Sequence, residues 1–288
     1  PSVAVPFGVF ERVLEEPWNK KIAESYSELT SRIDGRMDCP EEVLAQIKDS
    51  VMRLAAPPDL AESLLGAVER EDLPLPESWD GAWKSIKEVW GSKWNRRACL
   101  GRRAAGISDD DLFMAVLIQK AVDAEYSFVI HTVNPLTGNA VEIYAEAVLG
   151  LGEALVGNYP GRAFSFSVNK KTLSSRVVSF PSKGTGLFGG GLFFRSDSNG
   201  EDLSSYAGAG LYDSFMIPSP KKVILDYTGK PLLWDEDFIQ GFMRKIGEIG
   251  MAVEEALQGP QDIEGAYSKG KYYVVQSRPQ VGLKRNFF

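Results

Sequence analysis

Histidine is scarce in this 288-residue sequence, where His131 is the single example. A zinc centre, a Ser/His/Asp triad or a Cys/His dyad would each have to use that one imidazole, because these sites depend on histidine as a ligand or a base. The scarcity therefore leaves few catalytic designs of these kinds open.

Cysteines and long apolar runs are also few. Two cysteines, Cys39 and Cys99, do not make a disulfide framework in so long a chain, so we expect a reducing compartment. No apolar run approaches ~18 residues, which predicts no transmembrane helix and no membrane partner. Residues 1–8 lack the basic start and long apolar stretch of a signal peptide, and are more typical of a strand taken from a longer chain.

Positive charge is not concentrated anywhere in the chain. The net charge is −7, and basic residues occur only in short pairs such as Lys20-Lys21 and Arg102-Arg103. Because affinity for nucleic acid comes from clustered Lys and Arg, we expect no nucleic acid partner. With 44% hydrophobic and 25% charged residues, the composition is that of a soluble globular protein with a sizeable core.

The pattern of apolar residues divides the chain in two. Residues 1–107 are predicted to be mainly helical, including a helix of about 20 residues after Ser78. Four tryptophans are expected on one face of that helix: Trp79, Trp83, Trp90 and Trp94. Such a stripe could stack sugars, but an apolar stripe at helical period usually marks a buried face.

The second part, residues 108–281, is predicted to be rich in strands. Ser108 is expected to cap a helix extending through Ile118, and another amphipathic helix is expected near 236–257. The sequence therefore predicts an α+β protein with a helical first part, a sheet-rich second part and a tail at 282–288.

The richest group of polar residues lies in a predicted β-hairpin near the end of the chain. Asp262 and Glu264 share one face of their strand, and Gln276 and Arg278 share one face of theirs. An odd-length connection, such as 268–270, would place all four side chains on the same face. Together they suit a metal-bound polyphosphate, since Mg²⁺ takes carboxylate oxygens and the arginine fork takes phosphate oxygens. The alternative is an exposed polar face with one Arg–Asp pair.

A second polar segment begins at Arg195 and opens into a loop rich in hydroxyls and glycine. Its backbone N–H groups and Arg195 could hold phosphates. The loop carboxylates of Asp197, Glu201 and Asp202 would repel a phosphate unless a cation lay between or they turned to solvent. Polar turns of this kind are common, so the loop alone is a weak indication.

Two further segments could contact a nucleotide. The segment that includes Gln119 to Val122 feeds a strand through a short acidic turn and could line an adenine with backbone groups. In Gly150-Leu-Gly-Glu153, the glycines permit close approach of the backbone, and Glu153 could hold a ribose hydroxyl or a metal.

Taken together, these segments resemble the nucleotide domains of dikinases. The hairpin around Asp262–Glu264 and Val275–Pro279, and the segment Trp90–Ala98, are similar to pyruvate phosphate dikinase and phosphoenolpyruvate synthase. The most extensive resemblance is to α-glucan water dikinases and runs to about Val281. Its longest motifs are Pro6–Glu11, Phe128–His131, Arg195–Leu203 and Tyr206–Ser214. The order in which Arg195 follows Trp90–Ala98 is also that of glucan water dikinase.

The resemblance implies the ATP-grasp domain of an enzyme that converts ATP, α-glucan and water to AMP, phosphate and phosphorylated glucan. The β-phosphoryl group would travel through a phosphohistidine on another, upstream domain, so no catalytic residue is expected in this chain. From the residues and the resemblance, we predict that ATP is bound by Arg195, Arg278, Gln276, Gln119, Lys120, Val122 and Glu153. We predict that Mg²⁺ is held by Glu264 and Gln276, with Asp262 beside them.

Some features depart from the pattern of the dikinases. Val133 stands where the relatives have an arginine before Asn-Pro, and the glycine-lysine segment that opens such domains would precede Pro1. We therefore expect a domain truncated at its N-terminal edge that lacks one phosphate-binding lysine. His131 lies in an apolar strand, so we expect it to be structural or a neighbour of the nucleotide site.

The expected partners are ATP and, through other domains, α-glucan. The compartment would be the plastid stroma in a plant or green alga, or the cytosol in an organism with cytosolic starch. The alternatives are a phosphoglucan water dikinase, a phosphoenolpyruvate-synthase-like enzyme or, in a different class, a glucan-binding fragment without catalysis that uses the tryptophans.

Overall fold

The computed structural model describes residues 1–157, 159–200, 202–203, 206–207 and 210–280. They form two compact units, and each is built from two stretches of chain. Unit 1 comprises Pro1–Ala121 and Gly190–Ser219, and unit 2 comprises Val122–Gly189 and the described residues from Pro220 onward. The predicted boundary after residue 107 marks the change from helices to strands, whereas the units divide after residues 121, 189 and 219. The predicted tail lies outside the described residues.

The helices of unit 1 come from the first of its two stretches of chain. They are α1 Val9–Glu15, α2 Lys20–Ser31, α3 Glu41–Met52, α4 Pro58–Arg70, α5 Trp79–Ser92 and α6 Arg96–Ala105. Unit 2 holds α7 Glu153–Val156, α8 Pro231–Trp234 and the long α9 Glu236–Ala256. No described helix has both the length and the apolar character needed to cross a membrane.

The strands pair in an antiparallel manner throughout both units. In chain order they are β1 Ser2–Val5, β2 Met114–Ala121, β3 Tyr126–His131, β4 Glu142–Leu149, β5 Phe164–Asn169, β6 Ser175–Ser179, β7 Thr185–Phe188, β8 Gly191–Ser198, β9 Asp202–Leu203, β10 Tyr206–Ala207, β11 Phe215–Ile217, β12 Lys221–Ile224, β13 Gln261–Ser268 and β14 Lys271–Pro279. Unit 1 contains the sheet β1-β2-β8-β11, and unit 2 contains the larger sheet β14-β13-β3-β4-β5-β6. The mixture of helices and antiparallel sheets confirms the α+β prediction.

The helix predicted from Ser108 to Ile118 is wrong. Residues 114–121 form β2, which pairs with β1 on one side and β8 on the other. A short apolar run is ambiguous between helix and strand, and pairing on both sides decides for the strand.

Most of the tryptophan face is buried, as predicted, and Trp79 is partly buried. Trp83, Trp90 and Trp94 are only 6%, 2% and 1% exposed and belong to the core of unit 1. The helix is shorter than expected, however, because α5 begins after the N-cap Ser78 and ends at Ser92. Trp94 therefore lies beyond α5, in a smaller cluster with residues such as Ile33 and Ile47.

The two cysteines are joined, which the sequence analysis did not expect. Cys39 and Cys99 form a disulfide with a Cα–Cα distance of 6.2 Å, and both are buried. The bond links the chain before α3 to α6. Spacing along the sequence could not reveal it, because the two cysteines are 60 positions apart and are brought together only by helix packing.

In unit 2, α9 packs on one face of the six-stranded sheet. Phe242, Met243 and Ile246 on α9 share a core with buried apolar residues of the central strands. Residues on a strand alternate between faces, so the side chains that do not meet α9 lie on the other face of the sheet. That second face carries the predicted site residues of β13 and β14, which are Asp262, Glu264, Gln276 and Arg278.

Candidate functional site

In the β13–β14 hairpin, the four polar side chains are arranged as predicted, but the connection between the strands is not the predicted one. Its connection is the two-residue turn Lys269-Gly270, with φ of 49° and 78°, rather than an odd-length loop. A two-residue turn with both φ values positive is the type I′ turn typical of tight hairpins. The prediction of an odd-length connection is therefore wrong.

A β-bulge puts one extra residue in β14, which changes the register as an odd-length connection would have done. The register shifts between Glu264 and Gly265, because Gly265 is opposite Val274 while Glu264 is opposite Gln276. An added Cβ on Gly265 would lie 2.2 Å from the Phe128 ring, so the bulge needs glycine at this position. The bulge returns the polar pairs of both strands to one face.

As a result, Asp262 lies directly opposite Arg278, and Glu264 lies directly opposite Gln276. All four side chains share one face of the sheet, as the sequence predicted. Arg278 donates to Oδ2 of Asp262 from Nε at 3.0 Å and from Nη2 at 2.6 Å. The predicted alternative of one Arg–Asp pair is thus present too, but the two side chains are only 26% and 15% exposed.

The polar face continues across the neighbouring strands. Directly opposed residues form a first row: Arg278, Asp262, His131, Tyr144 and Ser167. A second row lies two residues further along each strand: Gln276, Glu264, Val129, Glu146 and Ser165. The two rows contain side chains from five strands, all on the face of the sheet opposite α9.

In the first row, His131 and Tyr144 extend the ion pair. His131 Nδ1 lies 3.6 Å from Oδ1 of Asp262, and the His131 ring is stacked near Tyr144, with 19° between the planes. The Tyr144 hydroxyl donates to Oε1 of Glu146 at 3.1 Å. Burial raises the pKa of Tyr144, so its hydroxyl stays a donor at neutral pH.

The donor chemistry of this face suits Mg²⁺ only with help from a nucleotide. In the part of the chain that the structure describes, no three His, Cys, Asp or Glu side chains form a cluster that could hold a metal. Glu264 and Gln276 offer a carboxylate and an amide oxygen side by side. Mg²⁺ in nucleotide sites commonly takes one or two protein ligands, and phosphates and water complete its shell. The pair therefore fits that kind of site.

The predicted residues of unit 1 separate into two faces. Arg195 on β8 is opposite Leu117 on β2, and Gln119 is opposite Phe193. Because side chains alternate along a strand, Arg195 and Gln119 share a face and Lys120 lies on the other. Lys120 is therefore poorly placed to act together with Arg195.

The remaining predicted residues fall in other places. Val122 is the first residue of unit 2. Glu153 opens α7 after Gly150, which has φ of 78° and no room for a Cβ beside the Leu187 carbonyl. Glu201 lies outside the described residues, and only the backbone of Asp202 is described.

Sequence reasoning missed two groups of residues. Tyr144 and Glu146 carry a recognisable signal, since they are polar residues alternating with buried Ile143 and Ala145 along β4. Their neighbours on the sheet could not be known without the strand register.

The second missed group joins two motifs within unit 1. Asn95 donates to Asp213 at 2.8 Å, Arg97 forms an ion pair with Asp213, and Arg97 also donates to the Leu211 carbonyl at 3.0 Å. Hydrogen bonds and an ion pair therefore link the segment Trp90–Ala98 to the segment Tyr206–Ser214.

Comparison with known proteins finds both a matching family and similar individual proteins. Residues 77–183 match the family described as "Pyruvate phosphate dikinase, AMP/ATP-binding domain". An α-glucan water dikinase of Solanum tuberosum is 47% identical over 97% of this chain, and one of Arabidopsis thaliana is 46% identical over 97%. Over nearly its whole length, the chain is therefore similar to a segment of the α-glucan water dikinases.

The match to α-glucan water dikinase covers only a segment of those proteins. The aligned part is 19% of the Solanum protein and 20% of the Arabidopsis protein, so the chain spans about a fifth of the length of these relatives. Both relatives are named chloroplastic. The phosphoenolpyruvate synthase of Pyrococcus furiosus is more distant, at 27% identity over 92% of this chain and 29% of its own length.

Proposed function

We propose that this chain is the nucleotide-binding part of an α-glucan water dikinase and that it binds ATP with Mg²⁺. The observation that carries the proposal is the common face of Asp262, Glu264, Gln276 and Arg278, which a bulge in β14 maintains. A structural hairpin would not need two acids, an amide and a guanidinium in opposed positions. The proposal includes an ATP-grasp fold and, by analogy with the chloroplastic relatives, a plastid location.

Seven of the predicted residues have a part in this proposal. Arg278 and Arg195 bind phosphate oxygens, because guanidinium groups make charge-assisted contacts with them. Glu264 and Gln276 hold Mg²⁺, which when bound would neutralise charge on the phosphates. Asp262 holds Arg278 through the observed ion pair until the nucleotide binds. In unit 1, Gln119 contacts the adenine, and in unit 2, Glu153 holds a ribose hydroxyl.

The reaction of the whole enzyme would then follow the dikinase pattern. The β-phosphoryl group of ATP passes to a histidine of another domain and from there to the glucan, while water takes the terminal phosphate. The products are AMP, phosphate and phosphorylated glucan. This chain supplies the nucleotide site for the first transfer.

The rival assignment, a glucan-binding fragment, loses its main support. Three of the four tryptophans that could stack sugars are buried in the core of unit 1, and Trp79 is partly buried against it. Trp83 also donates its indole N–H to the Leu54 carbonyl at 3.0 Å. Indoles committed to the core are not a sugar-binding platform.

Binding of ATP by the isolated chain tests the proposal. Calorimetric titration with ATP and Mg²⁺ should give a measurable Kd, and an excess of ligand should raise the Tm, because ligand binds the folded state alone. Replacing Arg278 or Arg195 by Gln should each cost about 1.5–3 kcal/mol of binding free energy, which is the value of a charge-assisted hydrogen bond.

A matched control is Arg244→Gln on α9, whose side chain is 66% exposed and pairs with Glu248. This variant should bind ATP like the wild type. Equal binding by all three variants would refute the assigned phosphate contacts, and an absence of ATP binding by the wild-type chain would refute the proposed function.

A further inference from the structure

Asp262 lies between two nitrogen-bearing side chains on neighbouring strands. Arg278 on β14 donates to Oδ2 from Nε and from Nη2, while His131 on β3 faces Oδ1 from 3.6 Å. The three residues are directly opposed in the sheet register. The two oxygens of the carboxylate are thus divided between two partners.

The nitrogen of His131 that faces Asp262 is buried. Within the part of the chain that the structure describes, Nδ1 has no hydrogen-bond partner, and Asp262 Oδ1 is the acidic oxygen beside it. A buried N–H without a partner is costly, so Nδ1 gains by closing the remaining distance to the carboxylate. Stacking on Tyr144 limits how the ring can turn.

We propose that His131 is a positioning residue for Asp262 in the nucleotide site. By donating from Nδ1, it holds the carboxylate in place when Arg278 turns to a phosphate of the nucleotide. Asp262 then keeps its orientation beside Glu264 and Gln276. This inference rests on the proposed function and assigns a task to the one histidine of the chain.

The assignment follows from the geometry of the row. With the ion pair in place, the Asp262 side chain is 15% exposed. If Arg278 leaves Asp262 for a phosphate, the carboxylate loses two short contacts. A half-buried carboxylate without a donor is unfavourable, and His131 is the adjacent donor on the other side. Partners that orient metal-site carboxylates in this way typically affect metal affinity by 10–100-fold.

The tautomer of His131 gives a test that is independent of nucleotide. Because the chain has one histidine, ¹⁵N-histidine labelling produces a single pair of ring nitrogen signals. The proposal requires the proton on Nδ1 and predicts that the Asp262→Asn variant shifts that signal. A neutral ring with its proton on Nε2 and a bare Nδ1 would overturn the inference.

Three substitutions at His131 test the role in binding. Asn places its amide nitrogen near the position of Nδ1, Gln places its amide nitrogen near that of Nε2, and Leu has no donor. The Kd for ATP with Mg²⁺ should rise about tenfold in His131→Leu and His131→Gln. It should stay closer to wild type in His131→Asn, and the Kd for ATP in EDTA should change little in all three.

The outcomes separate the inference from the function on which it rests. If the wild type binds ATP with Mg²⁺ and His131→Leu binds equally well, the inference is wrong and the function stands. Equal weakening by Asn and Gln would also overturn it, since that pattern indicates loss of packing on Tyr144. Absence of binding by the wild type contradicts both.

Discussion

Lys93 in unit 1 is a buried lysine held by backbone carbonyl groups. Its Nζ donates to the carbonyls of Asp109 at 2.8 Å and Leu112 at 2.7 Å. Burial, with a further contribution from the charge of Arg102, lowers the pKa of Lys93 to about 8. The charge of this lysine therefore opposes folding at neutral pH.

Stability should therefore rise with pH in a range set by Lys93. The folded pKa of about 8 lies below the ordinary value of about 10.4, so the unfolded state binds more protons between these limits. Relative to Lys93→Met, wild type should gain about 2 kcal/mol of unfolding free energy from pH 8 to pH 10. Urea unfolding across that range measures the gain.

The control for this experiment is Lys84→Met, because Lys84 is 66% exposed. The unfolding free energies of wild type and Lys84→Met should change with pH by the same amount. If Lys93→Met also runs parallel to wild type, the lowered pKa of Lys93 is wrong.

At the scale of elements, α9 approaches the sheet through glycines. Gly247 and Gly250 face the central strands, where an added Cβ at Gly247 would lie 2.7 Å from Val168 and one at Gly250 would lie 3.0 Å from Ile143. Gly241 on the same helix is exposed, with nothing within 4 Å of its added Cβ. The helix therefore contains both a required and a dispensable glycine.

Alanine substitution in α9 should have opposite effects at these positions. Gly247→Ala should destabilise unit 2 by about 1–3 kcal/mol, because overpacking forces the sheet and helix apart. Gly241→Ala should stabilise by about 0.5–1 kcal/mol, since alanine loses less backbone entropy in a helix. Thermal unfolding of the pair compares them, and a loss of stability in Gly241→Ala would contradict the described packing.

The disulfide between the chain before α3 and helix α6 should also contribute measurably. It closes a loop of 60 residues, and in the chain-entropy treatment such a loop gives about 4 kcal/mol. Dithiothreitol should therefore lower the Tm of wild type. It should not lower that of Cys39→Ser, whose Tm should already be reduced. Quantifying free thiols in the unreduced protein checks the bond directly, and two free thiols would contradict it.

The face of a strand on which a side chain lies was easier to predict from the sequence than the way in which strands are joined and paired. The period of two along strands correctly placed Asp262 with Glu264, and Gln276 with Arg278. It could not reveal the bulge beside Gly265, because a bulge depends on the packing of Phe128 behind it. The neighbours on β3 and β4, including His131 and Tyr144, depend on pairing between residues far apart in the chain.

At the scale of the whole molecule, the single histidine limits what the chain can do with phosphate. His131 turns Nδ1 toward Asp262 inside the sheet, and its side chain is 26% exposed. A histidine that carries a phosphoryl group between ATP and an acceptor has to reach both. A strand residue held between Asp262 and Tyr144 cannot make that movement.

We therefore expect no phosphohistidine on this chain. After incubation with β-labelled ATP and Mg²⁺, acid-labile label should be absent from His131, and starch added to the chain alone should remain unlabelled. Peptide mapping under alkaline conditions provides the measurement. Label on His131, or label transferred to starch, would contradict the assignment of this histidine.

The path of the chain between the units has a consequence during synthesis on the ribosome. Unit 1 takes β2 from before residue 122 and β8 from after residue 189, with unit 2 sequence between them. At about 5–20 residues per second, β8 is made roughly 4–14 s after β2. Until then β2 has an unpaired edge that can accept a wrong strand. Translation pauses within 122–189 lengthen that interval, so synonymous codon changes there should affect the yield of soluble protein.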